Sequence, residues 1–197
     1  MPEINFQRSS QLINPADTAL VIVDMQEKLL PAVDQSEKIL ANVERLLATA
    51  EILGVAVAAT EQYPKGLGPT VASLSESIVR CSSDLLPAGL PAKTMFSCRE
   101  CASVFEKLQG NGVRNLLLCG IETHVCIAQT ALDMIAAGFN IQLCVDAMGS
   151  RHQLDHEIAI RRLEANGCTV TTTEAAMFEL CERAGNESFK AIAKLWG

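Results

Sequence analysis

Three reactive side chains lie in the sequence where they could act together in nucleophilic catalysis. Asp24 directly follows the apolar run ALVIV, Cys126 lies near the start of a predicted helix, and Lys93 lies in a long connecting segment. The free N–H groups at a helix start favour a thiolate, and a nearby ammonium group would lower the thiol pKa further. A carboxylate beside them could carry the proton in and out. The pattern indicates nucleophilic catalysis by a cysteine.

The same residues also fit a structural interpretation. Cysteine is among the most buried residue types, so Cys126 could be an ordinary thiol of the core, and Lys93 taken alone fits a partly exposed, solvated loop lysine. The position of Asp24 at the end of an apolar strand is harder to explain by packing. Spacing alone leaves both interpretations open.

Other motifs with catalytic or metal-binding spacing are less complete. Cys98 and Cys101 have the CxxC spacing of redox and zinc sites, but no second pair supplies the four ligands of a structural zinc. His152 and His156 would share one face of a helix, yet the residues between them lack the glutamate of a zincin. The segment GLG at 66–68 completes neither a dinucleotide fingerprint nor a P-loop.

The elements that must position these residues alternate between strands and helices. Apolar runs without polar alternation predict strands buried on both faces, at 19–23, 55–59, 113–119, 141–145 and 168–172. Helical periodicity lies between them, at 39–53, from 104 to the glycines at 110–112, at 125–137 and at 152–165. In the last helix, Ile158 and Leu163 form the predicted apolar face. The alternation predicts a three-layer α/β/α fold with a mainly parallel, Rossmann-like central sheet.

Residues 62–99 interrupt this alternation of strands and helices, because they hold several Pro and Gly and only one short segment, 71–80, with a helical pattern. We expect a long excursion over the carboxyl edge of the sheet, the edge at which open α/β sheets bind ligands. The polar groups that follow predicted strands at this edge are Asp24, Glu61, Asp146 and the segment 120–126.

Composition limits the function classes. The 197 residues carry 16 Lys and Arg against 23 Asp and Glu, a formal net charge of −7, and 49% are hydrophobic. These values fit one globular domain over residues 1–197, and an acidic chain without a basic cluster argues against a nucleic acid partner. The start, MPEINFQRSS, lacks secretory features and no apolar run could span a bilayer, so no membrane partner is expected. The 8 cysteines show no disulfide pattern and indicate free thiols in the cytoplasm.

Three separated motifs resemble the isochorismatase-like cysteine hydrolases. They are TALVIVDMQEKL near the start, PAKTMFS in the middle and LLLCGIETHVCIAQTALDMIAAGF later in the chain. The segment TEQYPKGLGPTV is similar to the isochorismatase-domain-containing branch of that superfamily. The resemblance extends from about residue 14 to residue 178, which is nearly the whole chain.

The resemblance implies a catalytic triad of Asp24, Lys93 and Cys126. In this assignment Cys126 is the nucleophile, Asp24 is the general base and acid, and Lys93 is the cation that stabilises thiolate and carboxylate. The resemblance also implies a cis peptide bond between Ile121 and Glu122. That bond would aim the backbone N–H groups of Glu122 and Cys126 at one point, as an oxyanion hole.

Departures from the family pattern narrow the implied reaction. Nicotinamidases of this superfamily bind a metal through Asp and His residues after the second strand, whereas the matching stretch ATEQYPKGLG has no His, so neither a metal nor another cofactor is expected. Isochorismatases proper hydrolyse a vinyl ether without relying on the cysteine. The cysteine here therefore implies hydrolysis of a small amide-type or related carbonyl substrate through a thioester. A binding or scaffold protein with little turnover and a thiol-redox protein are the alternatives.

Substrate contacts and assembly depend on residues outside the triad. The loop residues expected to contact the substrate are Gln26, Leu29, Tyr63, Phe96 and His124. The resemblance implies a homo-oligomer, and the apolar side chains expected at its interface are Met148, Phe178, Phe189 and Trp196.

Overall fold

A six-stranded parallel sheet forms the centre of the molecule. The computed structural model describes residues 7–196. The strands are β1 (Thr18–Val23), β2 (Ala56–Gln62), β3 (Ala92–Lys93), β4 (Asn115–Ile121), β5 (Asn140–Gly149) and β6 (Thr169–Thr171). Their order across the sheet is β3-β2-β1-β4-β5-β6, and every neighbouring pair is parallel.

Helices cover both faces of this sheet. They are α1 (Ser36–Leu53), α2 (Pro64–Leu67), α3 (Ala72–Ser82), α4 (Ala102–Gly110), α5 (Ala128–Ala136), α6 (Gln153–Ala165), α7 (Thr173–Cys181) and α8 (Glu187–Lys194). Short 3-10 turns occur at Leu30–Ala32 and Cys98–Cys101, and a π-helical turn at Thr123–Ile127 precedes α5. Across residues 7–196, no helix has both the length and the apolar character needed to cross a membrane.

The alternation of side chains along β1 explains the three layers. Ala19, Val21 and Val23 pack on one face, in a core completed by residues of α4, α5 and α6. Leu20 and Ile22 point to the opposite face and pack with residues of α1, α3, α7 and α8. Because successive residues of a strand face opposite sides, a strand covered on both sides must be apolar throughout. The predicted three-layer α/β/α fold is confirmed.

Several predicted elements differ in detail from the structure. The predicted strand 168–172 is the short edge strand β6, which is mostly exposed because β5 is its only neighbour in the sheet. The predicted helix 125–137 begins instead with a π-helical turn. The helical segment predicted at 71–80 is α3. The strand β3 was not predicted, because two residues are too few to give a periodic pattern.

Two expectations about the burial of side chains are also wrong. Met148, expected at an interface between subunits, is buried in the core. Ile158, expected on the apolar face of its helix, is 51% exposed, and α6 buries Ala159 and Leu163 instead. Ile158 is therefore a surface residue of α6.

The order of the strands creates a crevice at the carboxyl ends of β1 and β4. The chain proceeds from β1 outward to β3 and then returns to the other side of β1 with β4, which is the switch point where α/β sheets bind ligands. Gly120 pairs with Val23 at this end and has a φ of 110°. A Cβ atom at Gly120 would collide with the backbone of Val23, so the close approach of the two strands requires glycine there.

Candidate active site

Asp24 lies at the carboxyl end of β1, where the chain leaves the sheet. Its φ of 54° falls in the left-handed region, which Asp tolerates better than most residues, and its N–H donates to the Thr60 carbonyl oxygen at 3.1 Å. The carboxylate is fully buried and accepts a hydrogen bond at 2.8 Å from Thr60 Oγ1 to Oδ1. Backbone and side chain together fix the direction of this carboxylate.

Lys93 reaches the same carboxylate from β3. Its residue is only 1% exposed, so the expectation of a solvated, partly exposed loop lysine is wrong. Lys93 Nζ donates to Asp24 Oδ2 at 2.6 Å, to Gln62 Oε1 at 2.7 Å and to the Phe96 carbonyl oxygen at 2.9 Å. The side chain can be buried because these acceptors surround its charged group.

Cys126 lies on the π-helical turn that follows β4. The peptide bond between Ile121 and Glu122 is cis, and the turn begins at Thr123 directly after it. The residue is 4% exposed and its side chain lies on the face of the sheet that packs against α4 and α5. The thiol is thus buried near the carboxyl end of β4.

The three groups influence one another's protonation. Burial, and then the negative charge of Asp24, raises the pKa of the Cys126 thiol well above its usual range despite the opposing effect of Lys93. The sequence-based expectation of a lowered thiol pKa is therefore wrong, because desolvation outweighs the ammonium group. Burial also raises the pKa of the Asp24 carboxyl, with the charge of Lys93 opposing it. Burial disfavours charged Lys93, but attraction to Asp24 and to the nearby thiols raises the Lys93 pKa overall.

The turn before Cys126 is tied to the connection between β5 and α6. Glu122 Oε1 accepts hydrogen bonds at 3.0 Å from both the backbone N–H and Nε of Arg151. Thr123 Oγ1 lies 2.9 Å from His156 Nδ1, where burial lowers the pKa of the imidazole. These links hold the cis peptide and the thiol in one geometry.

The residues expected to contact substrate fall into two groups. Tyr63 and Phe96 are 55% and 52% exposed, and both are anchored to Lys93: the Tyr63 N–H donates to the Lys93 carbonyl oxygen at 2.8 Å, and the Phe96 carbonyl accepts from Nζ. Leu29 is partly buried against the core, and His124 Nδ1 lies 2.9 Å from Ser150 Oγ. The exposed side chains of Tyr63 and Phe96 thus remain available for contact with a ligand.

Gln26 cannot serve as a substrate contact. It is fully buried, its Oε1 accepts from the Gln62 N–H at 2.7 Å, and its Nε2 donates to the carbonyl oxygens of Gln62 and Gly68 at 3.0 and 2.6 Å. Every hydrogen of its amide group is used inside the chain. The expectation for Gln26 is corrected to a role in holding the segment after β2.

Other polar residues at this edge have structural roles. Glu61 Oε1 accepts hydrogen bonds from the N–H and Oγ1 of Thr70, and Asp146 Oδ1 accepts from the N–H and Oγ1 of Thr173. These carboxylates fix the loop after β2 and the start of α7.

The CxxC cysteines are buried, and all 8 cysteines are free. Burial raises the pKa of the Cys101 thiol to about 11. Among residues 7–196, no three His, Cys, Asp or Glu side chains are grouped so that they could hold a metal ion.

Two residues at the centre of the cluster were not predicted from the sequence. Thr60 and Gln62 supply hydrogen bonds to Asp24 and Lys93, and both lie at the carboxyl end of β2. The polar letters TEQ after an apolar strand were the available signal. A polar run of this kind does not show that Thr60 and Gln62 point toward Asp24 and Lys93 while Glu61 points toward the loop.

Comparison with known proteins identifies the family. The model of the isochorismatase domain matches residues 18–175. Isochorismatase domain-containing protein 1 of Danio rerio is 38% identical over 186 residues, covering 93% of this chain and 62% of that protein. Isochorismatase domain-containing protein 2A of Mus musculus is 36% identical over 184 residues, covering 93% of this chain and 84% of that protein. The chain belongs to the isochorismatase family.

A solved structure supports the same fold. The MAR1 ribonuclease from Caenorhabditis elegans aligns with a TM-score of 0.83 and 36% identity, covering 93% of this chain and 91% of that chain. The chain therefore has the three-layer fold of a family whose members are generally hydrolases. It spans less than two thirds of the Danio rerio relative but most of the mouse relative.

Proposed function

We propose that this protein is a metal-independent cysteine hydrolase that acts on a small amide-type or related carbonyl substrate. The supporting observation is a buried Asp24 carboxylate that bonds to Lys93 at 2.6 Å and lies close enough to the Cys126 thiol for each to change the other's pKa. A carboxylate, an ammonium and a thiol buried together at the switch point of an α/β sheet are costly for stability, and such groups cluster at functional sites.

The first half of the reaction starts from the neutral thiol. Asp24 takes the proton of Cys126, and the resulting thiolate attacks the carbonyl carbon of the substrate. The carbonyl oxygen becomes an oxyanion, which the backbone N–H groups of Glu122 and Cys126 stabilise. The C–N bond then breaks, and Asp24 returns the proton to the leaving nitrogen, so that ammonia or an amine departs and a thioester remains on Cys126.

The second half consumes water. Asp24, again ionised, takes a proton from a water molecule as its oxygen attacks the thioester carbonyl. The C–S bond breaks, the carboxylic acid is released and the thiol is restored with the proton that Asp24 held. Lys93 stays charged throughout and offsets the repulsion between the carboxylate and the developing thiolate.

A substrate screen tests this proposal. Small amides, ureides and hydroxamates are incubated with the wild type, with Cys126→Ala and with Cys81→Ala, which removes a thiol outside the crevice. We expect turnover by the wild type and Cys81→Ala, none by Cys126→Ala, and a transient acyl mass on the peptide that contains Cys126. Turnover that survives in Cys126→Ala would refute the cysteine mechanism.

Two alternatives predict different thiol reactivity. A binding or scaffold protein with little turnover needs no activated thiol, and a thiol-redox protein would use Cys98 and Cys101. Alkylation with iodoacetamide near neutral pH, followed by peptide mapping, separates them: preferential labelling of Cys126 supports the hydrolase, whereas labelling of Cys98 supports redox chemistry. Uniformly slow labelling supports the scaffold.

A ribonuclease activity is a further alternative, because the aligned Caenorhabditis elegans protein is named a ribonuclease. The net charge of −7 disfavours it, since RNA binding relies on neutralising phosphates with Lys and Arg. RNA included in the screen is expected to remain intact. Cleavage by the wild type and not by Cys126→Ala would instead assign RNA as the substrate.

The proposal includes a homo-oligomer as the working form. Leu154 and Ile158 are exposed one helical turn apart on α6. The rings of Phe178 and Phe189 lie 6.2 Å apart, with Phe178 partly exposed. Apolar side chains grouped on a surface are typical of an interface. Light scattering at micromolar concentration is expected to give a multiple of 21.2 kDa, and a single species of that mass would refute the oligomer.

A further inference from the structure

The ammonium group of Lys93 has a complete set of acceptors. Its three hydrogens are matched by Asp24 Oδ2 at 2.6 Å, Gln62 Oε1 at 2.7 Å and the Phe96 carbonyl oxygen at 2.9 Å. A neutral amine has only two hydrogens and would turn its lone pair toward one of these oxygens. The cluster therefore favours the charged form of Lys93, and two of its three acceptors carry no charge.

The orientation of the Gln62 amide is fixed by its neighbours. Gln62 Nε2 donates to the Thr94 carbonyl oxygen at 2.9 Å, so a reversed amide would place its NH₂ group against the ammonium. Gln26 holds the backbone of Gln62 from both sides, since its Oε1 accepts from the N–H at 2.7 Å and its Nε2 donates to the carbonyl oxygen at 3.0 Å. Gln62 Oε1 is thus aimed at Lys93 by contacts to its amide nitrogen and to its backbone.

The acceptors of Lys93 become important when the proton moves. Once Asp24 has taken the proton of Cys126, it is neutral and no longer compensates the buried charge of Lys93 as a carboxylate does. Gln62 and the Phe96 carbonyl do not change charge in this step. We propose that Gln62 is a positioning residue that keeps Lys93 charged and directed at the reacting pair while Asp24 holds the proton. This inference rests on the proposed hydrolase function.

The neutrality of Gln62 is part of the argument. A carboxylate at this position would face the Thr94 carbonyl oxygen and would compete with Asp24 for Lys93. The charge of Lys93 would then stabilise the Asp24 carboxylate less, and the second negative charge nearby would favour the protonated form of Asp24. A glutamine accepts the hydrogen bond and avoids both effects.

The test is the pH dependence of Cys126 alkylation by iodoacetamide in the wild type, Gln62→Met and Gln62→Glu. Gln62→Met keeps the length and removes the strong acceptor, so we expect the plateau rate to fall at least about tenfold, the scale for one hydrogen bond to a charged group. Gln62→Glu keeps an acceptor and adds a negative charge. We therefore expect the acid limb, the low-pH part of the plot of alkylation rate against pH where the rate falls, to move up by about one pH unit or more.

The matched control is Gln142→Met. Gln142 is also a buried glutamine of the sheet, in β5, and its Nε2 donates to the Gln11 carbonyl oxygen at 3.3 Å, away from Lys93. We expect wild-type alkylation for this variant, with circular dichroism as the folding control for all of them. A merely structural role for Gln62 would change stability and leave the acid limb in place.

The outcomes separate this inference from the proposed function. A folded Gln62→Met with the wild-type plateau, or an unmoved acid limb in Gln62→Glu, would overturn the role of Gln62 while Cys126 stays reactive. If Gln62→Met does not fold, the position of the acid limb in Gln62→Glu tests the role of Gln62 instead. A wild type in which Cys126 is no more reactive than Cys81 at any pH would refute the triad and this inference with it.

Discussion

Lys93 Nζ lies 2.6 Å from Asp24 Oδ2, and both side chains are completely removed from solvent. Two charges buried at this distance stabilise each other, but each has lost its hydration, so the pair adds little net stability as long as it is intact. Removal of one partner leaves the other charge buried without compensation. The pair thus links the chemistry of the crevice to the stability of the fold.

Lys93→Met should lower both stability and activity. We expect the free energy of unfolding to fall by about 3–5 kcal/mol, because Asp24 is left as an unpaired buried carboxylate. Turnover should fall at least about 100-fold, the scale for losing one preorganised electrostatic group. Urea denaturation and steady-state kinetics measure the two effects. A partly exposed lysine, which the sequence alone allowed, would instead contribute little to stability.

Lys38→Met on the exposed surface of α1 is the control for this prediction, and it should stay close to the wild type in both assays.

The double variant Asp24→Asn with Lys93→Met should lose less stability than the two single changes added together, because the pair is then removed as a unit. Additive losses would show that the two groups do not interact.

The hydroxyl of Thr60 should lower the pKa of the Asp24 carboxyl. Thr60 Oγ1 donates to Asp24 Oδ1 at 2.8 Å, and this bond stabilises the ionised carboxylate. In Thr60→Val the pKa of Asp24 should rise further, and the acid limb of the activity profile should move up by about one pH unit. Thr49→Val removes a buried hydroxyl that donates to the Arg45 carbonyl in α1, and it should leave the limb unchanged. Equal profiles for both variants would contradict the assignment of Asp24 as the base.

The sequence predicted the parts of the fold that depend on local pattern. β1 and β4 are apolar after their first residues because both faces are covered, so their position and the parallel character of the sheet could be predicted, and with them the edge at which Asp24 and Cys126 lie. The motifs of the family then pointed to Lys93. The structure brings the three side chains to one crevice.

The burial of Lys93 could not be predicted, because it depends on acceptors far away in the chain. Nothing near Lys93 in the sequence indicates that Asp24 and Gln62 surround its ammonium group, since hydrogen bonds between distant segments leave no periodic signal. The direction of the Cys126 pKa was missed for the same reason. Helix position and a nearby cation favour a thiolate, but the degree of desolvation follows only from the packed core.

Gly120 should not tolerate alanine. A Cβ atom there would overlap the backbone of Val23, and the φ of 110° is unfavourable for an L side chain. We expect a loss of at least about 3 kcal/mol, or no folded protein, because backbone cannot move aside as a flexible side chain can. Gly138→Ala isolates the backbone effect, since its φ is 93° and no atom lies within 4 Å of the added Cβ. It should cost only about 1–2 kcal/mol in thermal or urea denaturation.

Activity should not depend on a bound metal. The end of β2 carries Glu61 and Gln62, and Tyr63 follows, where the resemblance to nicotinamidases would lead one to expect metal-binding Asp and His. The Glu61 carboxylate instead bonds to Thr70. Dialysis against a strong chelator should therefore leave turnover of the best substrate in the screen unchanged. A loss of turnover that returns on addition of zinc would contradict the prediction.

The acid limb of the activity should report the protonation of Asp24. The carboxyl must be ionised to accept the proton of Cys126, and burial raises its pKa above the ordinary value of about 3.9. As the pH falls through this raised pKa, the base becomes protonated and turnover is lost, so the limb should lie above pH 4 by an amount set by Asp24. Because Asp24 and Cys126 interact, the apparent pKa that the limb reports is a property of the coupled pair rather than of one residue.

Two variants assign that limb. Asp24→Asn cannot accept the proton, so its turnover should be lost at every pH, while circular dichroism checks that it still folds. His156→Gln keeps a polar side chain beside Thr123 and removes the imidazole, whose pKa burial lowers. The limb should stay in place in His156→Gln. A limb that disappears in this variant and persists in Asp24→Asn would move the titrating group from the buried carboxyl to the imidazole, and the proposed proton path would then be wrong.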